Sequence, residues 1–109
     1  MSVTVNIRYY GKNGSAKAFA QEMMQSGTVE AIRKKLGNLT YQYYISWDNP
    51  EMILLIAQWI NQEALDRHHK SSIMQTIITL RDKYDLHMEV ERFISDEAIP
   101  NQDQKYIRP

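Results

Sequence analysis

The 109-residue chain is long enough for one modest hydrophobic core and too short for two. Its 43% hydrophobic and 24% charged residues are the mix of an ordinary globular domain. Thirteen basic residues balance thirteen acidic ones, so no net positive field is available to hold nucleic-acid phosphates, and the lack of cysteine excludes disulfides, thiol catalysis, iron–sulfur clusters and thiolate zinc sites.

The N-terminal MSVTVNIRYYG alternates in polarity and has no apolar signal core. Residues 3–10 set Val3, Val5, Ile7 and Tyr9 against Thr4, Asn6, Arg8 and Tyr10, the period-two pattern of a strand with one strongly apolar face. GKNGS follows as a turn, and Ser15 is placed to cap a helix. From Ala16 the spacing becomes helical, with Phe19, Met23, Ile32 and Leu36 as the expected buried stripe. Ser26-Gly27 interrupts it, Thr28 can cap a second piece carrying Glu30 in its first turn, and Gly37 ends it.

LTYQYYISW, residues 39–47, alternates again, with Tyr41, Tyr43 and Trp47 on one face and Tyr44 on the other. DNP makes a turn, and EMILLIAQWI, residues 51–60, is apolar on both faces, as expected of a central strand covered on both sides. Residues 39–60 therefore form a hairpin. The longest apolar run, residues 52–57, is far shorter than the ~20 residues a membrane helix needs. A cytoplasmic protein with no membrane or nucleic-acid partner is expected.

Asn61 can cap the next helix, which begins QEALDRHH, and KSS can break it with Ser71 or Ser72 as a fresh cap. Ile73, Met74, Ile77, Ile78, Leu80 and Tyr84 make a second amphipathic stripe. LHMEVERFI, residues 86–94, is a last strand with Met88, Val90 and Ile94 opposite His87, Glu89, Glu91 and Phe93. Residues 96–109 are polar and bounded by proline, a tail behind a domain of residues 1–95.

The order β-α-β-β-α-β predicts an α+β, ferredoxin-like fold: an antiparallel four-stranded sheet with both helices on one face. The other face is left bare. Bare apolar and aromatic surface is unfavourable in water by ~25 cal/mol per Å². A sheet-to-sheet homodimer is the simplest cure, with the tail free to wrap the partner.

The segment LTYQYYISWDNPEMILLIAQWINQEALDRHHKSSIMQTI, followed by MEVERF, resembles the antibiotic biosynthesis monooxygenase family. The matching features are Tyr41 to Tyr44, Trp59, Glu63-Ala64-Leu65, His68, Ser71-Ser72 and Val90-Glu91-Arg92-Phe93, within residues 3–95. The resemblance implies a dimeric ferredoxin-like protein, also called a dimeric α/β barrel. It leaves the reaction open. Relatives are described as quinol monooxygenases, polyketide oxygenases that need no metal or flavin, haem-degrading enzymes and autoinducer-processing proteins. The Ser26-Gly27 break departs from the plain family pattern. The haem-degrading branch has an Asn at the place of Asn6. It also has a Trp at the place of His68 and its iron-ligating His at the place of Ile78, and isoleucine cannot ligate iron.

Neighbouring helical residues are ~100° apart, so His68 and His69 cannot both enter one pocket. His68 follows Leu65 and Ala64 by three and four residues, on the inward side, and the resemblance selects it too; His69 reads as a solvated surface residue. With an ordinary pKa near 6.5, His68 can bind or deprotonate a phenol-like hydroxyl. The plainer reading is a partly buried histidine that ties helix to sheet by a hydrogen bond. Asn6 is a candidate donor to a second ligand oxygen, or simply a polar residue of the sheet face. Tyr41, Tyr43, Trp47 and Trp59 suit the walls of a flat-ring site and equally suit a core or interface. Arg8 and Arg92 can hold an anion, but an ion pair with Glu89 or Glu91 is simpler. Adjacent histidines do not chelate from one helix face, and no H-E-x-x-H spacing is present, so no metal is expected; the resemblance to cofactor-independent oxygenases implies that no other cofactor is needed.

The expected function is a cofactor-independent monooxygenase acting on a small phenolic or quinol-type aromatic. The alternatives are a non-oxidative isomerase or degrading enzyme for a small metabolite or signal, and a non-catalytic ligand-binding dimer.

Overall fold

The computed structural model describes all 109 residues. Four strands form one antiparallel sheet in the order β2-β3-β1-β4: β1 Val3–Tyr10, β2 Asn38–Ile45, β3 Met52–Trp59 and β4 His87–Ile94. The connections are β1 to β2 through α1 (Ser15–Gln25) and α2 (Thr28–Arg33), and β3 to β4 through α3 (Gln62–His69) and α4 (Ile73–Lys83). This is the ferredoxin-like α+β fold expected, with each crossover helix broken in two. No helix is long and apolar enough to cross a membrane.

Each break has a local cause. Gly27, at φ 81°, turns the chain between α1 and α2, and the Ser26 hydroxyl lies 2.8 Å from that of Thr28. Between α3 and α4 the Ser71 hydroxyl donates to the His68 carbonyl at 2.7 Å. Asn61 caps α3 as expected, its Oδ1 accepting from the Ala64 N–H at 2.9 Å. Ser72 holds the cap position of α4 as expected but makes no side-chain cap bond, and Ser15 and Thr28 do not cap α1 and α2. Ser15 Oγ accepts from the Lys12 N–H at 2.9 Å one turn earlier, and glycines hold the cap positions of α1 and α2. Gly37, at φ 88°, ends the first crossover; a Cβ there would stand 2.6 Å from that of Ala64, so glycine lets this turn press against α3.

Alternation decides which side chains meet the helices. Val3 and Tyr9 of β1, Ile53, Leu55, Ala57 and Trp59 of β3, and Tyr41 of β2 are buried beneath Phe19, Met23, Val29 and Ile32 of the first crossover and Leu65, Ile77 and Leu80 of the second. Three expectations need correction. Leu36 is 80% exposed, because α2 ends at Arg33 and the following turn carries Leu36 outward. Trp47 is fully exposed, because β2 ends at Ile45 and the alternation stops before it. β3 is central in pairing, yet only one of its faces is covered; Met52, Leu54, Ile56 and Gln58 are half-buried on the open side. β4 is exposed along its whole length. The tail carries one short helical turn, α5 (Asn101–Gln104), and is exposed from Asp96 onward.

Candidate functional site

Between the inner sheet face and α3-α4 lies a cavity of about 90 Å³. Its floor is Val5, Ile7 and Tyr9 of β1, Leu55, Ala57 and Trp59 of β3, and Tyr41 of β2. Leu65, His68, Met74, Ile77 and Ile78 roof it, Met88 and Arg81 complete the wall, and the exposed His69 stands at its rim. The small side chain of Ala57 in the floor leaves room that a larger residue would fill.

His68 is buried in this wall, 5% exposed. Its ring stacks on the Trp59 indole, with centroids 4.8 Å apart and planes 25° apart, and meets the edge of Tyr41 at 6.4 Å. Its Nδ1 is buried and has no hydrogen-bond partner, and the same holds for Trp59 Nε1. The hydrogen bond that would make His68 a structural tie is therefore missing at this nitrogen. Burial pushes the imidazole pKa down to about 4, helped by the positive charges of Lys35 and His69. The ring is neutral at pH 7, with donor and acceptor capacity available to a ligand. The Tyr41 phenol is pushed up to about 12 by burial, so it stays protonated and can donate.

The structure brings His68, Trp59 and Tyr41 together and leaves the other candidates apart. Asn6 pairs in register with Ile56 and Glu91 on the sheet face away from the helices, so the thickness of the sheet separates it from His68. The two do not form one catalytic pair around a cavity ligand; the alternation that turns Val5 and Ile7 inward turns Asn6 outward. Asn6 Oδ1 is itself buried without a partner. Tyr43 faces the helices but borders a shallow groove with Ala20, Met24 and Ile53 rather than the His68 cavity. Its ring lies edge-on 6.1 Å from Tyr41, and burial holds its phenol far above the usual tyrosine range. Trp47 stands off the strand in solvent. Of the two other arginines weighed, Arg8 pairs with Glu91 on the open face, and Arg92 Nη2 donates to Gln62 Oε1 at 2.7 Å.

Two cavity residues with polar atoms, Tyr9 and Arg81, are not among the sequence candidates. Tyr9 was placed on the apolar face of β1 but not in a site, and Arg81 was not singled out. The signal for Arg81 is its spacing, three and four residues after Ile78 and Ile77 on the inward stripe. No three His, Asp or Glu side chains cluster as a metal-holding group.

The antibiotic biosynthesis monooxygenase family model matches residues 2–80. Among solved structures, a Deinococcus radiodurans protein described as a candidate antibiotic biosynthesis monooxygenase is similar with a TM-score of 0.78 at 18% identity, covering 90% of this chain and 96% of that one. A conserved protein from Methanosarcina mazei Go1 is similar with a TM-score of 0.74 at 22% identity, covering 88% and 94%. SnoaB, a cofactor-independent oxygenase from Streptomyces nogalater, is similar with a TM-score of 0.73 at 16% identity, covering 92% and 98%. At these identities the structural likenesses speak for the fold alone. No curated protein sequence matches. The family model, over most of the chain and including Trp59, His68 and the α3-α4 roof of the cavity, carries the assignment: the chain belongs to the antibiotic biosynthesis monooxygenase family.

Proposed function

We propose that the protein is a monooxygenase of small electron-rich phenols or quinols, in which the substrate itself reduces dioxygen. The observation that carries this reading is His68, a buried neutral imidazole stacked on Trp59 at an apolar cavity, with an unpartnered Nδ1. In the empty cavity His68 is a weak base. A phenolate forming beside it supplies the opposite charge that favours imidazolium, so proton transfer and ion pairing support each other. Trp59 and Tyr41 hold the ring, and the apolar lining keeps water from the anion. The phenolate passes one electron to dioxygen, and the resulting superoxide joins the ring radical in a new carbon–oxygen bond. Loss of water then leaves the quinone. Overall, a phenol with one ring hydrogen and dioxygen give a quinone and water, one oxygen atom going to each product.

The test is oxygen uptake by metal-stripped protein with a panel of benzene and naphthalene quinols, autoxidation subtracted. Protein-dependent uptake is expected, falling by about 10² or more in His68→Ala, the scale of a lost general base. Uptake that survives in the variant would remove His68 from the chemistry. No uptake from the folded protein would replace the oxygenase with isomerisation or plain binding.

We also infer that a second copy covers the open sheet face. Leu54 and Ile56 lie half-buried there beside Tyr44 and Phe93, which are 41% and 50% exposed. Light scattering at micromolar concentration should give twice the chain mass; a monomer there would sink the inference.

A further inference from the structure

The His68 cavity, at about 90 Å³, is smaller than the ~150 Å³ cavity that encloses benzene. A single aromatic ring does not lie wholly within it as it stands, and the missing room must come from its walls. The floor is fixed, because β1 and β3 are the two central strands and each is hydrogen-bonded on both edges. The roof consists of two helices that are fastened differently. α3 is held firmly at its start. Asn61 Oδ1 accepts from the Ala64 N–H at 2.9 Å, the Ile60 N–H donates to the Gly37 carbonyl at 2.8 Å, and Arg92 of β4 donates to Gln62 at 2.7 Å.

α4 is held more loosely. It gives Met74, Ile77, Ile78 and Arg81 to the cavity, yet only Ile77 and Leu80 of its side chains are buried. Irregular backbone bounds it on both sides. Before it, Lys70–Ser72 interrupt the helix, and Ser72 makes no side-chain cap bond. After it, Asp85 sits at φ 50°, in the left-handed region that few non-glycine residues adopt. One carboxylate fastens it to the rest of the fold. On α1, Glu22 Oε1 accepts from Lys83 Nζ at 2.8 Å and from the hydroxyl of Tyr84, the residue after α4, at 2.5 Å. The other tie, Arg81 Nη1 at 4.0 Å from the Met88 sulfur, is weak. β4 is exposed throughout and gives α4 no buttress.

We propose that α4 is a lid on the His68 cavity: it pivots on the joints at Lys70–Ser72 and Asp85 and is latched against α1 by Glu22. With the latch made, the cavity is the small space described. With it broken, Met74 and Ile78 swing off the floor, and a ring reaches Trp59 and His68. Met74 suits the moving edge, because its unbranched thioether chain repacks with little strain. Reclosure over a bound ring then expels water from it. The proposed function needs such an entry, but the lid is a property of the protein without substrate.

The chain has no cysteine, so an introduced thiol reports on its own site alone. Ala57→Cys places one in the floor beneath α4, and Val29→Cys places one under the first crossover, where the native side chain has no exposure. Leu55→Cys, also in the floor, is a second probe should Ala57→Cys fold poorly. The experiment follows the reaction of each thiol with dithiobis-nitrobenzoate, an aromatic disulfide too large for the cavity, by the nitrothiobenzoate released. The floor thiol should react about tenfold or more faster than the Val29→Cys thiol, because a lid opens more often than the whole fold. Adding Glu22→Gln or Tyr84→Phe should speed the floor reaction about threefold or more, the weight of one hydrogen bond, and leave the Val29→Cys rate unchanged. Equal rates at the two sites would overturn the proposal, since only unfolding of the whole chain would then expose either. So would a floor thiol as reactive as a free one, which means a cavity open without a lid, or a floor rate that neither latch variant moves. No dioxygen or phenol is present, so the two readings fail separately. Latch-dependent labelling without oxygen uptake keeps the lid and removes the oxygenase; uptake without such labelling does the reverse.

Discussion

The two crossovers of this sheet share one topology and have opposite interiors. Under the first, α1 and α2 drive Phe19, Met23, Val29 and Ile32 into the sheet with no residual exposure. The Phe19 ring meets Tyr9 at 4.9 Å, Tyr43 at 6.2 Å and Tyr84 at 6.5 Å, an aromatic cluster at the centre of the core. Under the second, α4 buries Ile77 and Leu80, while Met74 and Ile78 remain half-buried over a cavity floored by Ala57. β4 beside it is uncovered throughout. The first half is packed with fully buried side chains, and the second keeps a cavity. Side-chain volume, rather than connectivity, separates the two.

Substitution should expose this asymmetry. Phe19→Ala in the sealed half is expected to cost about 3–5 kcal/mol, the range for deleting a buried aromatic where neighbours cannot collapse. Urea denaturation with an unchanged slope would read it, and a loss below about 1 kcal/mol would show that the first crossover is looser than described.

The next effect belongs to His68. Its folded pKa of about 4 lies below the ordinary 6.5. Between those values the unfolded chain takes up a proton that the folded chain refuses. Stability from this group is therefore full above pH 6.5, declines on acidification and is lost as pH falls through 4. Screening by solvent beyond the cavity wall trims the effect to about 2 kcal/mol. Denaturation midpoints of His68→Phe against wild type between pH 4 and 7 should show that slope vanish; parallel curves would mean the imidazole is not held neutral by burial.

The smallest effect is expected on the hollow side. Ile78→Ala removes a half-buried side chain from the edge of an existing cavity, so the loss should be about 1 kcal/mol, well short of Phe19→Ala. Equal losses at the two sites, measured in the same urea series, would erase the distinction between the halves.

Much of this was legible in local spacing. The order of strands and helices along the chain, the break at Ser26-Gly27, the Asn61 cap and the inward turn of His68 each depend on residues within a turn or two of one another. The same alternation already set Asn6 with Thr4 and Arg8, away from the helices. Its pairing with His68 was drawn from resemblance to a family, and the strand geometry parts them. Trp47 and Leu36 depart from the periodic pattern because β2 and α2 end before them. Arg81 was invisible for another reason. With Asp82 beside it and Lys83 beyond, it reads as a solvated helix end, and only α4 laid beside β4 turns its Nη1 toward Met88.

The sequence by itself determined the ferredoxin-like order and the face each strand offers to the helices, because periodicity is a short-range property of backbone geometry. Only the tertiary structure decided that the second crossover is hollow and that His68 and Arg81 line one cavity. A void is the difference between the space that two packed layers enclose and the volume of side chains that distant segments contribute. No single segment carries that difference.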